Sequence, residues 1–153
     1  MSPSPLALER AFFRKVAIES TLEAETAPPQ KIETLVTVGM DPHQPLRFQV
    51  SLTVRVLKGG EKPSGYVGEI EVIGIFVISE SVTGEKREQL VAVHGSTLLY
   101  GMVREMVCNV TARGPWPMFT LPVVSFADMR PTVLPAAPVE TKAPAAVEAA
   151  RAN

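Results

Sequence analysis

The sequence predicts an α+β fold: a four-stranded antiparallel sheet with two C-terminal helices packed on one face. Two observations carry this. Between Phe12 and Ser79 apolar and polar residues alternate in four separate runs, the pattern of strands with one buried face. From Ser96 onward the apolar period lengthens to that of a helix. No segment repeats. The chain's 153 residues, 46% of them hydrophobic, amount to one domain with enough apolar surface for a core.

In chain order, Met1 to Leu6, with Pro3 and Pro5, reads as a loose arm, and Phe12 to Ser20 as a first strand with Phe12, Val16 and Ile18 on one side and Lys15 and Glu19 on the other. Thr21 to Gln30 is acidic and ends in Pro28-Pro29, which breaks pairing. Ile32, Val36 and Val38 restart the alternation as a second strand. Asp41-Pro42 and Pro45 turn the chain into the clearest strand, in which Leu46, Phe48, Val50, Leu52, Val54 and Val56 alternate with Arg47, Gln49, Ser51, Thr53 and Arg55. Gly59-Gly60 marks a hairpin connection into a fourth strand, Tyr66 to Ser79.

That fourth strand changes character partway. Ile70, Val72, Phe76 and Ile78 fill one face, while the other passes from Glu69 and Glu71 to Ile73, Ile75 and Val77. Three β-branched residues on an otherwise polar face predict a second covering layer, either another copy of the chain or its own arm or tail. Thr83 to Val93 reads as a short helix ended by Gly95. A second helix runs from an N-capping Ser96 to near Arg113. Leu98, Leu99, Met102, Val103, Met106, Val107 and Val110 form its apolar face, and Arg104, Glu105, Asn109 and Thr111 its wet one. Gly114-Pro115 stops it. The strip beyond is broken by Pro115, Pro117 and Pro122, yet Trp116, Met118, Phe119, Leu121, Val123, Val124 and Phe126 make it too apolar for an ordinary loop, so it packs or binds. From Arg130 the chain is rich in Pro and Ala with no aromatic residue, and is expected to be disordered.

A search for chemistry returns nothing assembled. His43 and His94 are isolated, Cys108 lies beside the apolar stripe without a paired Cys or nearby His, and the glycines at 59 and 60 lack phosphate-loop spacing. Enzyme activity has no support, and no cofactor or metal is expected. A net charge of -1 leaves no footprint for nucleic acid, and the longest apolar run, Val72 to Ile78, is far short of the roughly 20 residues of a membrane helix. A single cysteine and an N-terminus without an apolar signal region point to a cytoplasmic protein.

One resemblance gives these features a common reading. Tyr100, Gly101, Met102, Val103, Arg104 and Glu105 supply an aromatic-x-x-x-Arg-Glu helix centre, followed by Thr111, Arg113, Gly114, the Trp116-Pro117 step, and Leu121, Pro122, Val124 and Phe126; Gly74-Ile75-Phe76 precedes them. In series these residues resemble the SecB family of bacterial export chaperones, over about Leu8 to Met129. The proline at 122 stands one place earlier than is usual there, Tyr100-Gly101-Met102-Val103 replaces a frequent Phe-Pro-Tyr-Ala, and a Pro/Ala tail replaces an acidic one. The resemblance implies an arm over 1–7, a chaperone domain over 8–129 and a tail over 130–153. It implies a homotetramer, a dimer of dimers, with Ile73, Ile75 and Val77 at an interface.

The function so implied is that of an ATP-independent holdase that keeps preproteins unfolded in apolar grooves and delivers them to the export motor SecA. Tyr100, Met102, Met106, Trp116, Met118, Phe119, Leu121, Val123 and Phe126 match the groove, although Trp116 and Phe119 are equally well read as core, and a Met stripe on a helix is more often core. Glu19, Glu69 and Glu71 match the SecA-contacting acids, while Lys15 stands where acid is frequent. Two alternatives stay open: a chaperone dedicated to one client such as an antitoxin, and a structural oligomer that uses the strip as glue.

Overall fold

The computed structural model describes residues 3–22, 31–59, 65–129 and 133–135. Four long strands, β1 (Leu6–Ser20), β2 (Lys31–Asp41), β3 (Gln44–Leu57) and β4 (Tyr66–Ile78), pair antiparallel, and a helix lies across one face. A three-residue strand, β5 (Val133–Pro135), runs parallel to β2, completing the order β1-β4-β3-β2-β5. The fold class is the one the sequence predicts. The acidic loop between β1 and β2, the glycine-rich link between β3 and β4, and most of the tail fall at 23–30, 60–64, 130–132 and 136–153, outside the described residues.

Alternation makes the sheet two-faced. On β3 the residues Phe48, Val50, Leu52, Val54 and Val56 are all buried under the helix, as are Ile70, Val72, Phe76 and Ile78 on β4. β1 departs from its expected form in two ways. It begins at Leu6, not Phe12, because β4 extends to Ile78 and its edge backbone finds partners in Leu6 and Ala7; the Ser79 N–H then donates to the Pro5 carbonyl at 2.8 Å. Irregularities between Leu8 and Arg10 and between Phe13 and Lys15 also shift the pleat. Phe12 therefore sits opposite Ile73 on the face away from the helix, while Val16 and Ile18 sit opposite Ile70 and Gly68 on the helix side. An inserted residue inverts every later side chain, and simple alternation does not reveal it.

The two expected helices are one. α1 (Gly84–Leu90) passes through a π-helical turn, Val91–Gly95, into α2 (Ser96–Thr111). Gly95 does not end a helix: its backbone is helical, and a side chain there would come within 3.2 Å of Val50 and 3.3 Å of Phe76. Its role is close approach. Gly74 on β4 is the matching concession, since a Cβ at that point would meet the Phe76 ring at 2.6 Å and Leu99 at 2.9 Å. The wide turn adds a residue to the helical repeat and so brings Val91 and Ala92 into one buried stripe with Leu99, Val103 and Val107.

Ser96 is consequently not an N-cap. It lies mid-helix, fully buried, with its Oγ unpaired among the described residues. An orphaned hydroxyl costs its desolvation with no return. Ser96→Ala is expected to leave stability unchanged or raise it by up to about 1 kcal/mol in urea unfolding, whereas a genuine cap would lose about 1 kcal/mol.

Candidate functional site

The strip after α2 has no regular secondary structure from Pro117 to Phe126, so its course is set by hydrogen bonds to its neighbours. Tyr66, the first residue of β4, is the main anchor. Its buried hydroxyl faces the carbonyls of Thr111 at 3.0 Å and Trp116 at 2.8 Å, and accepts from the Trp116 N–H at 3.2 Å. Gly114 makes room for it, because a Cβ there would stand 2.3 Å from the Tyr66 oxygen. The Trp116 indole N–H donates to the Thr21 carbonyl at 2.6 Å, just past the end of β1. One tyrosine and one tryptophan thereby tie the helix C-terminus to the sheet.

Thr111 continues the chain of contacts. It was expected to face water, but it is 1% exposed; its hydroxyl donates to the Val107 carbonyl at 2.7 Å and accepts from the Phe119 N–H at 3.0 Å. Cys108 has a structural setting, its Sγ 3.6 Å from the Phe119 carbonyl and 3.5 Å from the Thr120 hydroxyl. Farther on, the Tyr100 hydroxyl donates to the Pro122 carbonyl at 2.7 Å, and its ring meets Phe126 edge-on at 5.8 Å. Burial pushes the Tyr100 hydroxyl's pKa up.

The nine residues matched to a groove thus divide. Tyr100, Leu121 and Phe126 are buried and wedge the strip onto the helix. Trp116 and Phe119 are half-buried. Met118 and Val123 point outward, 58% and 85% exposed. Met102 and Met106 are half-buried on the core but, at about 100° per residue, lie on the flank of α2 opposite Tyr100. They do not share a wall with the strip. What the sequence reading missed is a cleft of about 590 Å³ between the strip and the β2 side of the sheet, where Val36, Val38, Val124, Phe126, Met129 and Leu134 share the walls with the polar Thr34, Thr37, Ser125 and Asp128. Val36 and Val38 had signalled only a strand.

On the opposite face of the sheet the apolar patch is smaller than expected. Ile73 is 8% exposed, set between Phe12 on β1 and Ser51 on β3; Ile75 is half-buried and Val77 is 38% exposed. Phe12, brought there by the irregular pairing of β1, provides the cover, and Arg10 stacks 5.1 Å over its ring. Glu19 is exposed. Glu69 and Glu71 are not free acids. Glu69 binds Lys15 at 2.8 Å and Arg55 at 2.6 Å, and Glu71 binds Arg14 at 3.1 Å. Hydrogen bonds from Lys15 and then Arg55 hold the Glu69 carboxyl down at about 2. Among the described residues no group of three or more His, Cys, Asp or Glu is placed to hold a metal, and no helix is long and apolar enough to cross a membrane.

A four-stranded sheet backed by one helix, with an apolar strip held to both by hydrogen bonds, is the architecture to be compared with known proteins. The SecB family model, described as preprotein translocase subunit SecB, matches residues 3–131. The chain belongs to the SecB family, whose members are protein-export chaperones. Protein-export protein SecB of Alcanivorax borkumensis is 33% identical over 81 residues, a match spanning 52% of this chain and about half, 51%, of that relative. Protein-export protein SecB of Psychrobacter arcticus is 22% identical over 125 residues, 79% of this chain and 82% of the relative. Among solved structures, the Mycobacterium tuberculosis Rv1957 SecB-like chaperone, in complex with a ChAD peptide from the Rv1956 HigA1 antitoxin, superposes with a TM-score of 0.59 at 17% identity, over 78% of this chain and 91% of that one. The likeness is one of fold.

Tyr66→Phe is expected to cost about 1–3 kcal/mol in denaturant unfolding, because the Trp116 N–H and two carbonyls lose a buried partner. Glu69 gives a second expectation. Its folded pKa lies below the ordinary 4.5, so its pairing contributes to stability above about pH 4.5, and the contribution disappears as pH falls through about 2. Carbon-detected titration of the Glu69 carboxyl should show a midpoint near 2 that moves up in Lys15→Ala.

Proposed function

We propose that this protein is an ATP-independent holdase that keeps preproteins unfolded and passes them to the export motor SecA from the cytoplasm, as a homotetramer built from two dimers. The observation that carries the reading is the strip from Trp116 to Phe126: fixed at its base by Tyr66, Thr111 and Tyr100, it still presents Met118 and Val123 to solvent, and its far end, Val124 to Phe126, lines an open cleft. An anchored backbone with exposed side chains offers client segments an apolar surface that needs little ordering on binding. Each contact is weak, but several along one unfolded chain add up through effective concentration, giving broad and reversible capture. Tyr100, Leu121 and Phe126 form the floor of such a groove, Trp116 and Phe119 its fixed end, and Met102 and Met106 a separate apolar surface on the other flank.

A specific observation favours the alternative of a dedicated client. Glu69 and Glu71, the acids matched to SecA docking, are already engaged by Lys15, Arg55 and Arg14. A motor that reads carboxylates would have to displace those cations. Assembly is supported by apolar residues that stay exposed on the helix side and the far side of the sheet, Leu8, Val16, Leu98 and Val77, for which a second copy is the simplest cover.

Purified protein without nucleotide should slow the aggregation of a chemically unfolded client in light scattering, and Met118→Asp with Val123→Asp should weaken that effect at least several-fold with little change in melting temperature, since both residues are exposed. Equal scattering with and without the protein rules out the holdase. For assembly, Ile75→Asp puts one charge per protomer beside Val77 and should yield a smaller species in sedimentation; wild-type protein that is already monomeric at micromolar concentration rules out this interface.

A further inference from the structure

Beside the cleft, the outer edge of β2 has one occupant: β5 pairs with it over Val38, Gly39 and Met40, opposite Val133, Leu134 and Pro135. The rest of that edge, from Lys31 to Thr37, has no strand partner among the described residues. An unpaired edge next to a cleft whose walls include Val36, Val38, Val124 and Phe126 is what an extended peptide needs, since the edge supplies backbone hydrogen bonds and the cleft takes alternate side chains. Leu134 already lines that cleft while remaining 52% exposed. We propose that Val133–Pro135 is an internal competitor: a piece of the chain's own tail that occupies the client site in cis and must leave before an unfolded segment can add to β2 and fill the cleft. The proposal rests on the holdase reading and adds its regulation.

Three features suit the segment to this role. Its point of departure is held, because the Gln89 side-chain amide donates to the Met129 carbonyl at 3.0 Å and the Met129 N–H donates to the Phe126 carbonyl at 3.0 Å. Only three residues then separate Met129 from Val133, so the tail is presented to the edge at an effective concentration of about millimolar or above. Val-Leu-Pro is apolar enough to imitate a client, yet Pro135 within it and Pro131 and Pro138 on either side have no N–H for a strand ladder. A proline-poor client makes more hydrogen bonds to β2 than the tail does. The contact covers only Val38 to Met40 and is weak enough to yield.

The test compares the full chain with Leu134→Asp and Leu134→Ser, at a half-exposed position. Amide exchange at those of Val38, Gly39 and Met40 whose N–H faces β5 reports whether the tail is bound, and anisotropy of fluorescein-labelled, reduced and carboxymethylated α-lactalbumin reports client affinity. Both variants should speed exchange at the amides facing β5, leave those facing β3 protected, and tighten the client Kd by about 3- to 10-fold, the change expected if the tail holds the site about 70–90% of the time. A synthetic peptide of residues 131–138 should compete with the client on either variant, and the wild-type protection should not change on dilution. Faster exchange with an unchanged or weaker client Kd overturns the competitor role and leaves the holdase standing. Equal exchange in wild type and variants shows that the tail does not hold the edge and overturns the proposal, as does protection that vanishes on dilution, which would assign the strand to another copy. If no form of the protein binds the client, the holdase reading falls and this proposal with it, whatever the exchange data show.

Discussion

A single helix is narrower than the sheet it covers, and much of this structure follows from that mismatch. A helix with its side chains is about 10–12 Å across, whereas four strands at roughly 4.8 Å spacing present a face nearer to 20 Å. The helix touches β3 and β4 and reaches β1 only marginally. Residues under it, such as Val50, Leu52 and Val72, are sealed from water together with Leu99 on its inner face. Those beyond it need another cover. On the β2 side the strip after α2 provides one, with Leu121 and Phe126 as the buried wedges. On the β1 side nothing described does, and Leu8 and Val16 remain open.

The strip can serve as a cover without regular structure because its backbone is satisfied by side chains drawn from elsewhere in the fold. Prolines at 115, 117 and 122 exclude a ladder, so its carbonyls and N–H groups turn to Tyr66, Thr111, Tyr100 and Cys108. This arrangement separates two jobs that a strand would combine. Anchoring falls to the polar contacts along its inner side, and the outward residues Met118 and Val123 are left free of structural duty. Fixing the strip at its base leaves only some of its aromatic and aliphatic residues accessible.

The reverse face of the sheet is governed by charge pairing instead. Arg47 with Glu9, Arg14 with Glu71, and Lys15 and Arg55 with Glu69 form cross-strand bridges around the apolar centre of Phe12, Ile73 and Ile75. Such exposed bridges are individually weak. Their consequence is electrostatic: carboxylates that would otherwise offer a uniform acidic field are neutralised in place, so this face is amphipathic and close to charge-balanced.

The sequence by itself determined the fold class, the four strands, the helical stripe through Val103 and Val107, the end of that helix near Gly114 and the existence of an apolar strip, because each of these is a local property of periodicity or of proline and glycine chemistry. It also carried the family, through residues spread from Gly74 to Phe126. Only the tertiary structure decided what depends on partners far apart in the chain. The irregular pairing that sends Phe12 to cover Ile73 becomes visible only when β1 is laid against β4. Gly95 and Ser96 look like a stop and a cap until Val50 and Phe76 are seen to demand close approach of the helix at that point. What holds Trp116 in place was not legible until Tyr66 and Thr21, some 50 and 95 residues away in sequence, were seen to take its hydrogen bonds. The edge of β2 selected Val133–Pro135 as a strand from a tail whose composition gives no periodic signal, because an unpaired row of backbone groups recruits whatever extended segment lies within reach.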